Sequence, residues 1–371
     1  MKRAMSLALI FALIILNMNV TACAEELSIS AQAYVLYCVE NDTVILQKNG
    51  SDRMKPASTT KIMTTLLALE ACEKNDPIVE FTDSMIAEGS SMYLKVGDSL
   101  HLSDLATGMM MASGNDAANA TALTVSKSIE DFSALMNKKA KEIGMENTNF
   151  VTASGLDDDN HYSTAVDMAK LMSVALENER FCEITKNTSM AVEFLNPRKQ
   201  VTYNNHNRLL SLYEYCIGGK TGYTKSAGRC LVSAAQKDGV TLVCVTFNAP
   251  SDWNDHISLY NYGFERYSAV KTDDKNKQYN CNVVGGEKDE VALYCEETPS
   301  AVLLNEDVDK VSRTVYIPQF VYAPVKAGQC VGMVTYELDN EVITQTPLYA
   351  CVEILRQQDD SKIKGFFRKL F

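Results

Sequence analysis

The stretch Pro56-Ala57-Ser58-Thr59-Thr60-Lys61 runs directly into an apolar segment, Ile62-Met63 through Leu69. Proline suits the start of a helix, and Ile62, Leu66 and Leu69 recur at the spacing of one helical face. The segment is therefore expected to be a buried helix with Ser58 and Lys61 in its first turn. Residues three apart share a face, so the Lys61 amine can reach the Ser58 hydroxyl. A hydroxyl becomes a nucleophile only with a base in hydrogen-bond reach. A lysine serves as that base only if burial or a second cation lowers its pKa. Alone, S-x-x-K is a weak pattern, met equally by an ordinary helix start with a solvated lysine.

Two later stretches change its weight: Met111-Ala112-Ser113-Gly114-Asn115-Asp116-Ala117 and Gly218-Gly219-Lys220-Thr221-Gly222-Tyr223. With Ser58 and Lys61 they read S-x-x-K, S-G-N and K-T-G, in that order. The chain resembles the D-alanyl-D-alanine carboxypeptidases, the low-molecular-mass penicillin-binding proteins. The resemblance extends to Gly155-Leu156, His161-Tyr162-Ser163-Thr164-Ala165, Asn207-Arg208-Leu209-Leu210 and Thr224 through Gly228, and covers roughly Ser28 to Tyr267.

This resemblance implies a serine-type carboxypeptidase that trims the terminal D-alanine of peptidoglycan stem peptides and is acylated by β-lactams. It implies that Ser58 attacks the penultimate carbonyl, with Lys61 as the base. Ser113 would pass the proton to the leaving amine, and Asn115 would hold the Lys61 amine and the substrate amide. Lys220 and Thr221 are expected on an edge strand opposite Ser58, where a fixed cation would recognise a carboxylate and keep Lys61 neutral. Gly222 would let the substrate backbone approach, and the backbone N–H groups of Ser58 and Tyr223 would hold the oxyanion. No cofactor is implied. One departure is visible: some family members carry an arginine after the strand that follows K-T-G. Here that loop reads Pro250-Ser251-Asp252-Trp253-Asn254-Asp255-His256, with His256 read as a helix-start residue.

At the N-terminus, Met1-Lys2-Arg3, the apolar Ala4 to Leu16 and Ala22-Cys23-Ala24 read as a secretory signal peptide, residues 1–24. Val20-Thr21-Ala22-Cys23 also resembles a lipobox, which would place a lipid on Cys23. The formal net charge is -12, and removing the leader takes away two basic and no acidic residues, giving -14. That balance argues against nucleic acid as a partner. The eleven cysteines are scattered without a C-x-x-C, several in apolar runs such as Val243-Cys244-Val245, and read as buried small hydrophobes. The four histidines show no metal-ligand spacing, so no metal site is expected.

Residues Ile29–Val35 and Thr43–Gln47 read as strands. Helical periodicity follows at Leu102–Met111, Ala117–Ser126, Ile129–Ile143 and Ala165–Leu176, and strands return at Ala191–Phe194, Arg229–Ala235 and Thr241–Asn248. This is an α/β order, and the resemblance implies a transpeptidase/β-lactamase-like three-layer domain over residues 25–268. From about Val270 short alternating stretches separated by turns predict a small all-β domain, residues 269–356, with no catalytic motif. Residues 357–371 hold a linker and a basic amphipathic helix. Its Ile363, Phe366, Phe367, Leu370 and Phe371 lie on one face, with Lys362, Lys364, Arg368 and Lys369 on the other. Such a helix rests on an anionic membrane surface and is too short to span it. The expected location is thus the outer face of the cytoplasmic membrane.

Three rival readings are separable. A β-lactamase needs a second base for deacylation; Glu193-Phe194-Leu195-Asn196 is reminiscent of one but falls in a strand-like stretch close to Lys220. A transpeptidase differs only in the acceptor that resolves the acyl-enzyme. A non-catalytic wall-binding module has no use for intact Ser58, Lys61, Ser113, Asn115 and Lys220.

Overall fold

The computed structural model describes residues 27–298 and 300–357. The leader, the lipobox cysteine Cys23 and the tail residues Ile363, Phe366, Phe367, Leu370 and Phe371 lie outside the described residues.

The chain opens with the hairpin β1 (Ala33–Cys38) and β2 (Thr43–Lys48). Next come α1 (Lys61–Cys72), the ribbon β3 (Ile78–Glu80) and β4 (Ser99–His101), and the helices α2 (Leu102–Ala112), α3 (Asn115–Ser126), α4 (Ile129–Ile143), α5 (Ala165–Ala175) and α6 (Glu179–Lys186). A ribbon, β5 (Ser189–Phe194) and β6 (Lys199–Asn204), and a single turn, α7 (Leu209–Leu212), lead into β7 (Cys216–Thr224), β8 (Gly228–Lys237) and β9 (Val240–Phe247). Helix α8 (Asp252–Arg266) closes this part. The strands from the two ends of the segment form one antiparallel sheet in the order β2-β1-β9-β8-β7. The chain is therefore α/β, with the sheet sandwiched between helices.

Strand β1 shows why the layers hold. All six of its residues are buried, with Ala33, Val35 and Tyr37 in the core shared with α1 and α5. Tyr34, Leu36 and Cys38 point to the second core, against Leu259 and Tyr260 of α8. Alternate side chains of a strand face opposite sides, so a strand covered on both sides reads as a continuous apolar run. The strand begins at Ala33, four residues beyond the expected Ile29; before it, Ser30 gives its N–H and hydroxyl to Asp255 and not to a neighbouring strand. Helix α1 likewise departs from a one-sided stripe: Lys61 through Leu69 are all buried, because helices and sheet enclose it. Helix α8 begins at Asp252, four residues before His256, which the sequence marks as a helix-start residue. Its opening Asp-Trp-Asn-Asp-His is polar, and its polar residues Asp252, Asp255 and His256 are themselves buried.

The second sheet has six strands, ordered β14-β16-β17-β12-β11-β15. These are β11 (Tyr279–Val284), β12 (Glu290–Tyr294), β14 (Ser312–Tyr316), β15 (Phe320–Tyr322), β16 (Cys330–Leu338) and β17 (Glu341–Ala350). It has its own core, including Val291, Leu293, Val325, Val334 and Leu348. One helical turn, Asn305–Val308, interrupts the otherwise all-β texture. A two-stranded ribbon, β10 (Tyr267–Ala269) with β13 (Val302–Leu304), joins the halves. Val302 packs in the first half's second core, and its N–H donates to Asn41 Oδ1 at 3.0 Å. Of the ten described cysteines five are buried, whereas Cys330 and Cys351 are exposed, so the reading as core hydrophobes fails for those two. Among the described residues no helix is long and apolar enough to cross a membrane.

Candidate active site

Ala57–Thr60 form one 3-10 turn immediately before α1. In a 3-10 turn residues i and i+3 eclipse, which places Lys61 beneath Ser58. The Lys61 Nζ stands 2.9 Å from Ser58 Oγ. It also donates to Asn115 Oδ1 at 2.7 Å and to the Ser154 carbonyl at 2.7 Å. Asn115 Nδ2 in turn donates to the Glu88 carbonyl at 2.7 Å, which sets the orientation of the amide. Lys61 is fully buried, and its pKa is driven well below the usual lysine range. Burial is the main cause, the Lys220 charge adds to it, and the Asp116 carboxylate acts in the opposite direction.

The second serine ends α2. Ser113 occupies the left-handed region at φ 58°, a conformation rare for a residue with a side chain. It is held there by the α2–α3 corner, an arrangement common at functional positions. Lys220 Nζ donates to Ser113 Oγ at 3.0 Å and to the Thr221 carbonyl at 3.0 Å. Lys220 lies on β7, an edge strand of the sheet, as expected. Its cation is not permanent, however, because burial pushes its pKa down to about 7. The amine is charged below that pH and loses its proton above it.

Ser58, Ser113, Thr221, Gly222 and Tyr223 line one cleft of about 300 Å³. The structure therefore brings all eight expected site residues to one place: six border or occupy this cleft region directly or through Lys220, and Lys61 and Asn115 sit behind Ser58. A Cβ on Gly222 would come within 3.0 Å of the Ser58 backbone nitrogen and of the Pro56 carbonyl. A side chain there would press against the N–H expected to hold the oxyanion. Gly155, at φ 81°, packs even closer: a Cβ would meet the Ala57 carbonyl at 1.9 Å. The loop that supplies the Ser154 carbonyl is thus seated directly against the nucleophile turn.

Several supporting groups were given no role from the sequence. Asp116 accepts from the Ser91 hydroxyl (2.6 Å) and from the N–H groups of Met92 (3.0 Å), Leu94 (3.2 Å) and Ala117 (2.9 Å). His161 Nδ1 accepts from the N–H groups of Val151 and Thr152, so its proton sits on Nε2, facing Thr60 Oγ1 at 2.9 Å. Burial holds this imidazole neutral, with its pKa lowered to about 4. The Ser154 contact is a backbone carbonyl, invisible to any pattern of side chains. Arg229, Asp252 and Trp253 also line the cleft and were not among the expected site residues.

His256, in the first half of α8, is a core histidine held by Ser233 Oγ and Thr246 Oγ1. Glu193 is exposed on β5, and its N–H faces Asp104; it does not line the Ser58 cleft. A larger cleft, about 1060 Å³, lies among Leu66, Glu70, Asp76 and Glu183 and is lined by none of the expected site residues.

A serine hydroxyl beside a buried lysine, under a strand edge, is the equipment of a serine hydrolase working by acyl transfer. Comparison with known proteins narrows the class. Residues 19–251 match the family described as peptidase S11, D-alanyl-D-alanine carboxypeptidase, and residues 264–355 match the C-terminal domain of penicillin-binding protein 5. D-alanyl-D-alanine carboxypeptidase DacF of Bacillus subtilis is 33% identical over 99% of this chain and 96% of its own length. DacC of Escherichia coli is 33% identical over 87% of this chain and 84% of its own. Among solved structures, penicillin-binding protein 5 from Haemophilus influenzae superposes with a TM-score of 0.68 at 28% identity, covering 89% of this chain and 98% of that one. The chain belongs to the D-alanyl-D-alanine carboxypeptidase family of penicillin-binding proteins.

Proposed function

We propose that the chain removes the terminal D-alanine from peptidoglycan stem peptides through an acyl-enzyme on Ser58. The observation that carries this reading is the hydrogen-bond set of Lys61. Asn115 Oδ1 and the Ser154 carbonyl can only accept, so a neutral Lys61 gives them its two hydrogens. Its lone pair is then left for the Ser58 hydroxyl at 2.9 Å.

From that arrangement the steps follow. Lys61 takes the Ser58 proton as Oγ attacks the penultimate D-alanine carbonyl. The resulting oxyanion lies between the N–H groups of Ser58 and Tyr223, where one donor contributes about 3 kcal/mol of barrier lowering. Ser113 passes a proton to the departing D-alanine amine and is replenished by the Lys220 cation that donates to it. When water later cleaves the ester, its proton returns along Ser113 to Lys220 and Lys61 gives the Ser58 proton back to Oγ. The second hydrogen of Asn115 Nδ2 is left for the substrate amide carbonyl. Binding an anionic substrate end beside Lys220 and Thr221 restores the Lys220 cation, since an opposite charge favours the protonated amine. Water then resolves the ester. A β-lactam presents its strained amide to the same serine and stalls there. Release of D-alanine from a pentapeptide ending in D-Ala-D-Ala tests the reading directly, and an enzyme that releases none overturns it.

Gly222→Val is expected to lower kcat/KM by roughly 100-fold, the loss typical of a disabled oxyanion donor, with some fall in melting temperature because the added side chain presses on the backbone of Pro56 and Ser58. Undiminished turnover in that variant would place the oxyanion elsewhere.

The same reading places the enzyme outside the cytoplasm on the membrane surface, on the strength of the leader and the basic amphipathic tail. Deleting residues 361–371 is expected to free the protein from membrane fractions while leaving turnover intact. A deletion variant that stays in the membrane fraction would transfer the anchor to a lipid on Cys23.

A further inference from the structure

The loop after β9 carries no arginine, yet the cleft does hold an accessible one. We infer that Arg229 is the specificity residue that reads the substrate's C-terminal carboxylate, with Asp252 and Trp253 as its mount; this rests on the carboxypeptidase reading of the Ser58 cleft.

Arg229 stands opposite Tyr223 in the β7–β8 ladder, and Leu231 stands opposite Thr221. Directly paired residues of two strands project to the same face, so Thr221, Tyr223 and Arg229 share one side of the sheet. All three line the same cleft as Ser58. The Arg229 side chain is 44% exposed there, whereas the Asp252 side chain is 4% exposed. Of the two partners in this pair, the cation is thus the one presented to solvent.

The guanidinium is also held in place. A single nitrogen, Nη2, donates to both Asp252 oxygens, at 2.7 and 2.9 Å. Asp252 Oδ1 additionally accepts from the Trp253 N–H at 3.0 Å. The guanidinium carbon lies 5.7 Å from the centre of the Trp253 ring, within cation–π range. Among the described residues Nη1 and Nε have no acceptor, so donors of the planar fork remain available. A carboxylate can accept a charge-assisted hydrogen bond from Nη1 while Nη2 stays on Asp252. Lys220 alone suits this task less well: it is buried, committed to Ser113 and the Thr221 carbonyl, and charged only part of the time near neutrality.

The test compares two substrates on the full-length enzyme: diacetyl-L-Lys-D-Ala-D-Ala and the same peptide with its C-terminus amidated. Arg229→Gln is expected to lower kcat/KM for the carboxylate peptide by about 30- to 100-fold, the scale of a lost charge-assisted contact, and to leave the amide peptide unchanged. The preference for the free carboxylate then largely disappears. Arg229→Lys, which keeps the charge without the fork, is expected to fall between and guards against a folding defect in the glutamine variant. Equal losses on both peptides in either variant would make Arg229 a structural residue and overturn the inference. So would an unchanged preference in Arg229→Gln. A wild-type enzyme that releases neither D-alanine from the first peptide nor D-alaninamide from the second would overturn the carboxypeptidase reading itself, and this inference with it.

Discussion

Ser58→Ala is expected to abolish both D-alanine release and covalent labelling by penicillin. Removing the nucleophile of a serine hydrolase typically costs on the order of 10⁴–10⁶ in turnover. The loss should be this large because the cleft offers no substitute. Ser113, the other serine of the motif set, is 4% exposed and is bonded to Lys220 rather than to Lys61. Ser90 also lines the cleft, with His206, but among the described residues its hydroxyl has no basic hydrogen-bond partner. The substitution removes one oxygen from a half-buried position at the start of a 3-10 turn, so the fold should survive with a near-normal melting temperature. The measurement is D-alanine release from a pentapeptide alongside mass-spectrometric detection of a penicilloyl adduct. An adduct that persists in Ser58→Ala would move the nucleophile to another residue. An enzyme with no turnover in either form, yet with wild-type labelling at Ser58, would be a penicillin-binding module without hydrolytic function.

Lys61→Met is expected to be severely damaging, lowering the rate of acylation by roughly 10²–10⁴-fold, the range of a lost general base. Methionine retains the buried stem and loses the amine, so the effect reports chemistry more than packing. The pH dependence supplies the sharper test. The working base is the neutral amine, and burial together with Lys220 lowers its pKa well below the usual lysine range. Lowering the pH through that depressed value protonates Lys61 and switches acylation off; raising it restores the base. The acid limb of the kcat/KM profile for the wild type should therefore disappear from the residual activity of Lys61→Met. Retention of the same limb would assign it to another group, with Lys220, whose pKa is lowered to about 7, the first to examine. Because the two amines interact, the fitted values belong to the pair.

How much of this was legible beforehand differs between parts of the molecule. The amphipathic helix Ile129–Ile143 ends where its periodicity ends, since one polar face and one apolar face leave little room for another solution. Helix α8 could not be read in the same way. Its carboxylates and histidine are buried through partners brought from far along the chain: Asp255 accepts from Ser30, and His256 meets Ser233 and Thr246. Polar residues normally mark a solvated face, and only long-range partners reverse that sign.

Ser58, Lys61, Ser113, Asn115 and Lys220 could be singled out from the order of local residues, because S-x-x-K, S-G-N and K-T-G are each encoded within a few positions. Their union was decided by tertiary structure. Lys61 lies 54 residues from Asn115 and 93 from Ser154, and only the packing of α1 against α3 and the Gly155 loop joins them. That packing also determines the charge: the sequence contains a lysine, but desolvation and a second amine make it a base. Arg229 follows the same rule. Twenty-three residues separate it from Asp252, and a strand register together with a helix start converts a surface-type residue into a cleft cation. Side-chain identity is a property of the chain, whereas protonation state and direction are properties of surroundings that only the folded protein assembles.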